Sequence, residues 1–387
     1  MRILIAPDKF KGSLSAQEVS DNIALGVRDA ISDAAIEIAP MADGGEGTAD
    51  AICKARGGKW VTCSAHGPLG DPIEASYVWL DESAVMEMSE AAGLRRLKND
   101  VRDVLRANTF GLGEMLLDAA RRGAREIIIG LGGSATNDGG LGMARALGFR
   151  FLGENGDELT NVAALVDLAR IEPPVEAGVS PAKFLQMQPA RLPLQLRIIA
   201  AVDVRNPLLG PNGATHTFGP QKGASREQLE LLERSLTHLA DGVTGDLRCD
   251  FRNEPGAGAA GGLGFGLMSF CDAKVQPGFE VVAEAVALEH KIKSADVIIT
   301  GEGKLDDQTL EGKTPAGVAG LARKLGKPFF FAATEGAVEV VSDRSDAGIL
   351  GSTGCQPVVV GSLPTTSLPK SAEQFASVLG RLPSTAG

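Results

Sequence analysis

Residues 130–140 read GLGGSATNDGG and follow the apolar run at 126–129. Five glycines, the hydroxyls of Ser134 and Thr136, and the pair Asn137-Asp138 fall within eleven positions. A turn needs one or two glycines, so this much bare backbone beside a carboxylate invites three readings. The loop could simply turn the chain and pack a helix tightly on a sheet. Gly130-x-Gly132-x-x-Ala135 could be a dinucleotide fingerprint, with Glu154 at a tolerable distance for a ribose contact. Or the N–H groups of Gly132, Gly133 and Ser134 could cradle a phosphate near a helix N-terminus, with Asn137 and Asp138 beside it for Mg2+ or a reacting hydroxyl. Thr136-Asn137-Asp138 separate the glycines from the helical pattern that starts near Gly140, which weakens the dinucleotide reading. A plain turn leaves the Asn-Asp pair unexplained. The phosphate reading is favoured.

Two other glycine patterns carry less. Gly256-x-Gly258-x-x-Gly261 follows Arg252-Asn253-Glu254-Pro255 and no strand, so it reads as a close-packed loop. Gly312-Lys313-Thr314 resembles the end of a P-loop, but Asp307 stands where the first glycine of that motif belongs.

Four polar clusters complete the inventory: Asp8/Lys9/Lys11/Ser13, Asp43/Glu46, Asp203/Asn206 and Glu302/Asp306/Gln308. Each follows an apolar run that reads as a strand, and open α/β sheets bind ligands outside the C-terminal ends of their strands. A single Asp or Ser in such a place is usually a cap or loop residue, and Ser13 and Ser15 are cap candidates ahead of a helix. Many carboxylates with a few lysines suit hard-cation and phosphate chemistry. The four histidines (66, 216, 238, 290) are far apart, and the five cysteines (53, 63, 249, 271, 355) include no CxxC pair. A zinc site, a Cys-His nucleophile and a disulfide framework are all poor fits, and reduced thiols in a cytoplasmic protein are expected. A net charge of −11 argues against nucleic-acid or anionic-membrane partners, and no apolar stretch is long enough to span a membrane.

The elements that must position these groups alternate. Strands at 2–6, 35–40, 296–299 and 328–333 are followed or linked by helices over 16–31, up to residue 54, and 314–325, the pattern of a parallel sheet with crossover helices. Between them, 59–64 and 73–80 flank HGPLGD as a hairpin, 84–88 is a short strand, and 109–122 is a helix. A strand at 126–129, a helix near 140–147 and a strand at 196–202 follow. The expected fold is α/β with two domains. A Rossmann/flavodoxin-like parallel-sheet domain is built from both chain ends (1–58 plus 285–387), and a mixed α/β domain (59–284) is inserted into it, with the active site in the cleft between them. The stretches 172–195 and 342–370 read as loops, and the end beyond 380 as frayed.

Together the segments 5–16 (IAPDKFKGSLSA), 40–48 (PMADGGEGT), 130–140, 200–215 (AAVDVRNPLLGPNGAT), 218–224 (FGPQKGA), 255–267 (PGAGAAGGLGFGL) and 300–315 resemble the bacterial glycerate kinases of the first structural class. They occur in the family's order. The resemblance implies ATP- and Mg2+-dependent phosphorylation of D-glycerate, with 2-phosphoglycerate the usual product and 3-phosphoglycerate the alternative. On that footing, residue type and place suggest roles. Gly132, Gly133 and Ser134 would cradle the ATP phosphates, with Gly301 and Glu302 also on the nucleotide. Asp138 or Asp306 would orient or deprotonate the substrate hydroxyl while the other, with Asp203, binds Mg2+. Lys11 or Lys222 would meet the substrate carboxylate or the moving phosphoryl group, and Asp8, Asp43 and Asn137 would hold the substrate hydroxyls. Two rival functions use the same residues: an NAD(P)-linked hydroxyacid dehydrogenase and a non-catalytic organic-acid sensor.

Overall fold

The computed structural model describes residues 1–97, 101–174, 196–303, 314–333 and 358–361. The chain divides into two compact units, Met1–Asp43 with Val282–Gly387, and Gly44–Val281. The first boundary lies earlier than the expected residue 58, because the helix Thr48–Arg56 packs on strands of the second unit. The other falls inside the helix Gly278–Ala285, close to the expected 285.

With elements numbered along the chain, the first unit holds strands β1 (Arg2–Ile5), β2 (Ala35–Ile38), β11 (Val297–Gly301), β12 (Phe329–Ala333) and β13 (Val358–Gly361). They form one sheet in the order β13-β12-β11-β1-β2, parallel except for β13. β13 lies within a stretch expected to be loop; its short valine run is set among Ser, Thr, Gly and Pro residues, whose turn signals dominate the local pattern. Ile3, Ile5, Val297, Ile299 and Phe330 pack against Ala24 and Val27 of α1 (Ala16–Ala30). That helix starts on a capping box: Ser15 Oγ accepts from the Glu18 N–H at 3.2 Å, and Glu18 accepts from the Ser15 N–H at 2.8 Å. Ser13, the other cap candidate, donates its hydroxyl to the Phe10 carbonyl instead.

The second unit is built on β3 (Lys59–His66), β4 (Pro72–Leu80), β5 (Ser83–Glu87), β6 (Glu126–Gly130), β9 (Arg197–Val202) and β10 (Lys274–Pro277), in the order β10-β9-β6-β5-β4-β3. β3 and β4 form the expected hairpin, and β5, β6, β9 and β10 are parallel. A separate antiparallel pair, β7 (Arg150–Gly153) and β8 (Leu168–Glu172), was not legible in the sequence. Helices α2 (Thr48–Arg56), α4 (Phe110–Arg121) and α8 (Ala259–Cys271) pack on this sheet, α5 (Leu141–Ala146) packs on α4 and α8, and α7 (Arg226–Gly242) packs on β8, with shorter α3 (Ser89–Ala92) and α6 (Ala214–Phe218). The remaining helices are α9 (Gly278–Ala285), which carries the boundary, and α10 (Leu288–Ser294) and α11 (Thr314–Lys324) of the first unit. α8 contains three consecutive left-handed residues, Ala260, Gly261 and Gly262. A Cβ on Gly261 would lie 2.0 Å from the Thr136 carbonyl oxygen, so this glycine is what lets α8 back onto the 136–140 loop.

Candidate active site

In the second unit the GLGGSATNDGG segment leaves the C-terminal end of β6 and divides into two halves with different surroundings. The first half is a shelf. Gly133 is exposed, Gly132 half-buried and Ser134 buried. Among the described residues, no group accepts a hydrogen bond from the N–H of Gly132, Gly133 or Ser134. The shelf is fixed from both sides. Leu94 N–H donates to the Gly133 carbonyl at 2.9 Å, and Ala135 N–H donates to the Ala92 carbonyl at 2.9 Å. A Cβ on Gly132 would stand 2.5 Å from Gly45 Cα, and one on Gly130 would stand 2.6 Å from the Gly44 carbonyl oxygen. Two glycine motifs therefore meet backbone to backbone at the strand ends. Their glycines answer first to this packing, which holds the free N–H groups in place.

The second half is buried. Asp138 has no exposed surface, and its carboxylate accepts from Thr109 N–H (2.8 Å), Thr109 Oγ–H (2.9 Å), Gly140 N–H (3.1 Å) and Gly142 N–H (3.0 Å). Desolvation pushes its pKa up against the pull of those donors. Asp138 thus braces the starts of α4 and α5, and the expected contact with substrate or Mg2+ does not fit a carboxylate so enclosed. Asn137, equally buried, donates to Thr215 Oγ at 3.0 Å, while its Oδ1 has no hydrogen-bond partner. Lys222 is 2 % exposed and donates to the Thr136 carbonyl at 2.6 Å. Burial lowers its pKa to about 7, with Asp138 pulling the other way. A side chain so enclosed acts on this loop from beneath, which differs from the expected substrate contact.

Residues not singled out from sequence frame the shelf. Glu87, at the end of β5, accepts from the N–H groups of Gly47 (2.9 Å) and Ala49 (3.2 Å), capping α2, whose N-cap Gly47 has no side chain. Its pKa is raised, chiefly by burial. Arg95 pairs with Glu90 and reaches Glu46 at 3.4 Å. Glu87 ends a recognisable strand, so the strand-end rule could have found it; Arg95 had no sequence signal. Asp203 is exposed just beyond β9, and Asn206 donates to the Asn212 carbonyl at 2.7 Å.

In the first unit Asp8 and Asp43 follow β1 and β2 at the same sheet edge. Asp8 is 7 % exposed, and its Oδ1 accepts from the Lys9 N–H at 2.6 Å. Lys9 Nζ stands 4.0 Å from Asp8 and 3.9 Å from Asp43. Lys11 is exposed on the turn beyond Phe10. Gly301 closes β11: a Cβ there would meet the Ala332 carbonyl oxygen at 2.0 Å, and its own carbonyl accepts from Asp8 N–H at 2.9 Å. Gly301 is thereby committed to the sheet, and Glu302 N–H donates to the Ala332 carbonyl at 3.2 Å. Asp306, with Gln308 and Lys313, lies outside the described residues.

A family model described as the glycerate kinase family matches residues 3–374. The chain belongs to the glycerate kinase family. It is 42 % identical over 334 residues to a glycerate kinase of Halalkalibacterium halodurans, covering 84 % of this chain and 83 % of that one. It is likewise 42 % identical over 340 residues to a glycerate 2-kinase of Escherichia coli, covering 85 % and 84 %. The crystal structure of a Salmonella typhimurium LT2 protein assigned as glycerate kinase 2 superposes with a TM-score of 0.76 at 40 % identity, covering 87 % of each chain. As a member of the glycerate kinase family the protein is an enzyme, a phosphotransferase with an alcohol acceptor, so the dehydrogenase and sensor readings are set aside. No helix among the described residues is long and apolar enough to cross a membrane.

Proposed function

We propose that the protein transfers the γ-phosphoryl group of ATP to D-glycerate and that the product is 2-phosphoglycerate. The observation that carries this reading is the shelf at Gly132–Ser134, whose N–H groups are rigidly held and have no protein acceptor among the described residues. Such a nest suits phosphate oxygens, and phosphoryl transfer asks a protein mainly for positioning and charge compensation. The name glycerate 2-kinase borne by the Escherichia coli relative supports the choice of product.

The described residues hold no cluster of three or more His, Cys, Asp or Glu able to grip a metal. Mg2+ carried on a nucleotide keeps several waters and takes one or two carboxylates with phosphate oxygens, a demand that the exposed carboxylate of Asp203 suits. Asp203 and Asp306 are the proposed holders, and the ion would neutralise charge on the phosphates. Lys11, exposed beside the first unit's sheet edge, is proposed to meet the substrate carboxylate or the moving phosphoryl group. Asp8 and Asp43 would take the substrate hydroxyls, and Glu302 would lie toward the nucleotide. Asn137 and Lys222 would serve indirectly, by fixing the loop that carries the shelf.

The test is direct. The protein is incubated with D-glycerate, ATP and Mg2+, and the product is followed by phosphorus NMR and by coupling to enolase with and without a phosphoglycerate mutase. Enolase coupling without mutase identifies 2-phosphoglycerate; coupling only with mutase identifies the 3-isomer. Absence of any phosphoglycerate would sink the reading.

A further inference from the structure

We propose that Asp8 is the general base of this enzyme, taking the proton of the glycerate hydroxyl as that oxygen attacks the γ-phosphorus. The proposal rests on the glycerate kinase reading above. In the proposed step the hydroxyl oxygen forms a bond to phosphorus and the bond from phosphorus to the β-phosphate bridging oxygen breaks. The electron pair leaves on ADP, and the hydroxyl proton passes to Asp8 and then to solvent.

Asp8 stands where the strand order of its sheet reverses. β1 connects outward to β2 on one side and lies against β11 on the other, so the chain order reverses between β1 and β11. That switch point is where open parallel sheets leave a crevice for ligands, and Asp8 stands there on the β1 side. Asp8 is also rigidly mounted. Asp8 N–H is bonded to the Gly301 carbonyl, Ala6 N–H to the Ile299 carbonyl at 2.7 Å, and Thr300 Oγ–H to the Ala6 carbonyl at 2.8 Å. A carboxylate mounted on two cross-linked strand ends keeps its aim, which a base needs.

The Asp8 carboxylate has charged neighbours at its sheet edge. Oδ1 is oriented by the Lys9 N–H, Lys9 Nζ lies between Asp8 and Asp43, and the Thr314 side chain is buried at the start of α11. Burial, and then the like charge of Asp43, push the Asp8 pKa up to about 6, while the Lys9 charge and backbone N–H pull it down. A base with a pKa near the working pH is ionised yet still a good proton acceptor. Among the sequence-derived candidates within the described residues, Asp138 is enclosed by four donors and Asp203 is exposed, so neither shares this setting.

The test compares wild type with Asp8→Asn, whose shape is the same but which cannot accept the proton. Wild type must first form phosphoglycerate from ATP and D-glycerate; if it does not, the kinase reading fails and this inference with it. Given activity, Asp8→Asn is expected to lose about 10²–10⁴-fold in kcat while its thermal-shift response to glycerate and nucleotide is retained. A kcat within tenfold of wild type overturns the proposal, as does a raised KM for glycerate with unchanged kcat. An independent readout does not depend on that variant folding. The acid limb of the wild-type kcat/KM profile is expected near pH 6, moving to lower pH in Asp43→Asn and to higher pH in Lys9→Met. A limb that moves in neither variant overturns the assignment.

Discussion

The carboxylate of Asp138 accepts both hydrogen bonds that Thr109 can donate, one from its N–H at 2.8 Å and one from its hydroxyl at 2.9 Å. The same Thr109 hydroxyl accepts from Met143 N–H at 2.9 Å, so one buried pair joins the first turns of α4 and α5. This pair turns the most kinase-like carboxylate of the sequence into a structural brace.

Asp138→Asn is therefore expected to act on stability. The amide has one accepting oxygen and would set an N–H₂ donor against a backbone or hydroxyl donor. Each group stranded in a dry site costs about 1–3 kcal/mol. A loss of roughly 3 kcal/mol or more in chemical denaturation, together with reduced turnover, fits the brace. Wild-type stability with turnover abolished would instead make Asp138 a reacting group.

The Asp8 carboxyl has its pKa at about 6 in the folded protein, against 3.8 for the free side chain. For a raised carboxyl the stability contribution is full below the unfolded value and is lost as pH rises through the folded one. The protein should lose about 3 kcal/mol of stability from this group between roughly pH 4 and pH 6, at ~1.4 kcal/mol per unit. Asp8→Asn should flatten that decline and be more stable than wild type at pH 8. Urea midpoints at pH 4 and pH 8 decide it, and a variant less stable at pH 8 would contradict the burial argument.

Lys222 has the opposite sign. Its folded pKa is depressed to about 7 from 10.5, so the unfolded chain holds the extra proton between those values. Stability should rise as pH climbs from about 7 toward 10 and be at its lowest, for this group, below 7. In Lys222→Met that slope should largely vanish. An unchanged slope in the variant would show that another group titrates there.

Gly132→Ala tests the shelf. Its Cβ would stand 2.5 Å from Gly45 Cα, with backbone and no flexible side chain in the way. The shelf must shift, at a cost of roughly 1–3 kcal/mol. A rise in the KM for ATP larger than that for glycerate is expected from steady-state kinetics. Equal effects on both substrates would mean that the shelf does not carry the nucleotide.

Among the described residues, Glu87→Ala removes the only side-chain acceptor of the Gly47 and Ala49 N–H groups at the start of α2. A loss of about 0.5–2 kcal/mol in unfolding free energy is expected, the worth of a helix cap. No measurable loss would mean that water satisfies those N–H groups equally well.

Much of the frame was legible from local pattern. The runs at 2–6, 35–40, 126–129 and 196–202 became β1, β2, β6 and β9: β1, β6 and β9 are buried over most of their length and so read as apolar runs, while β2 alternates half-buried Ile36 and Ile38 with exposed Ala35 and Glu37. The hairpin around Gly67–Gly70 followed from turn residues between two alternating runs. β7 (RFLG) and β8 (LARIE) mix apolar with charged residues and form no run, and β13 (VVVG) lies among Ser, Thr, Gly and Pro, so none stood out from its surroundings.

The family and the order of the motifs were determined by the sequence alone, since residue type and spacing are written along the chain. What each motif residue does was decided by tertiary contacts. Asp138 became a brace because Thr109, 29 positions away, closes over it, and Lys222 became a strut because it meets Thr136 across 86 positions. Gly130 and Gly132 are glycines partly because Gly44 and Gly45 lie against them. The physical reason is desolvation. A carboxylate or an ammonium has the same formula on the surface and in the core, but whether it can reach a substrate, and at what pH it ionises, depends on which distant segments remove its water.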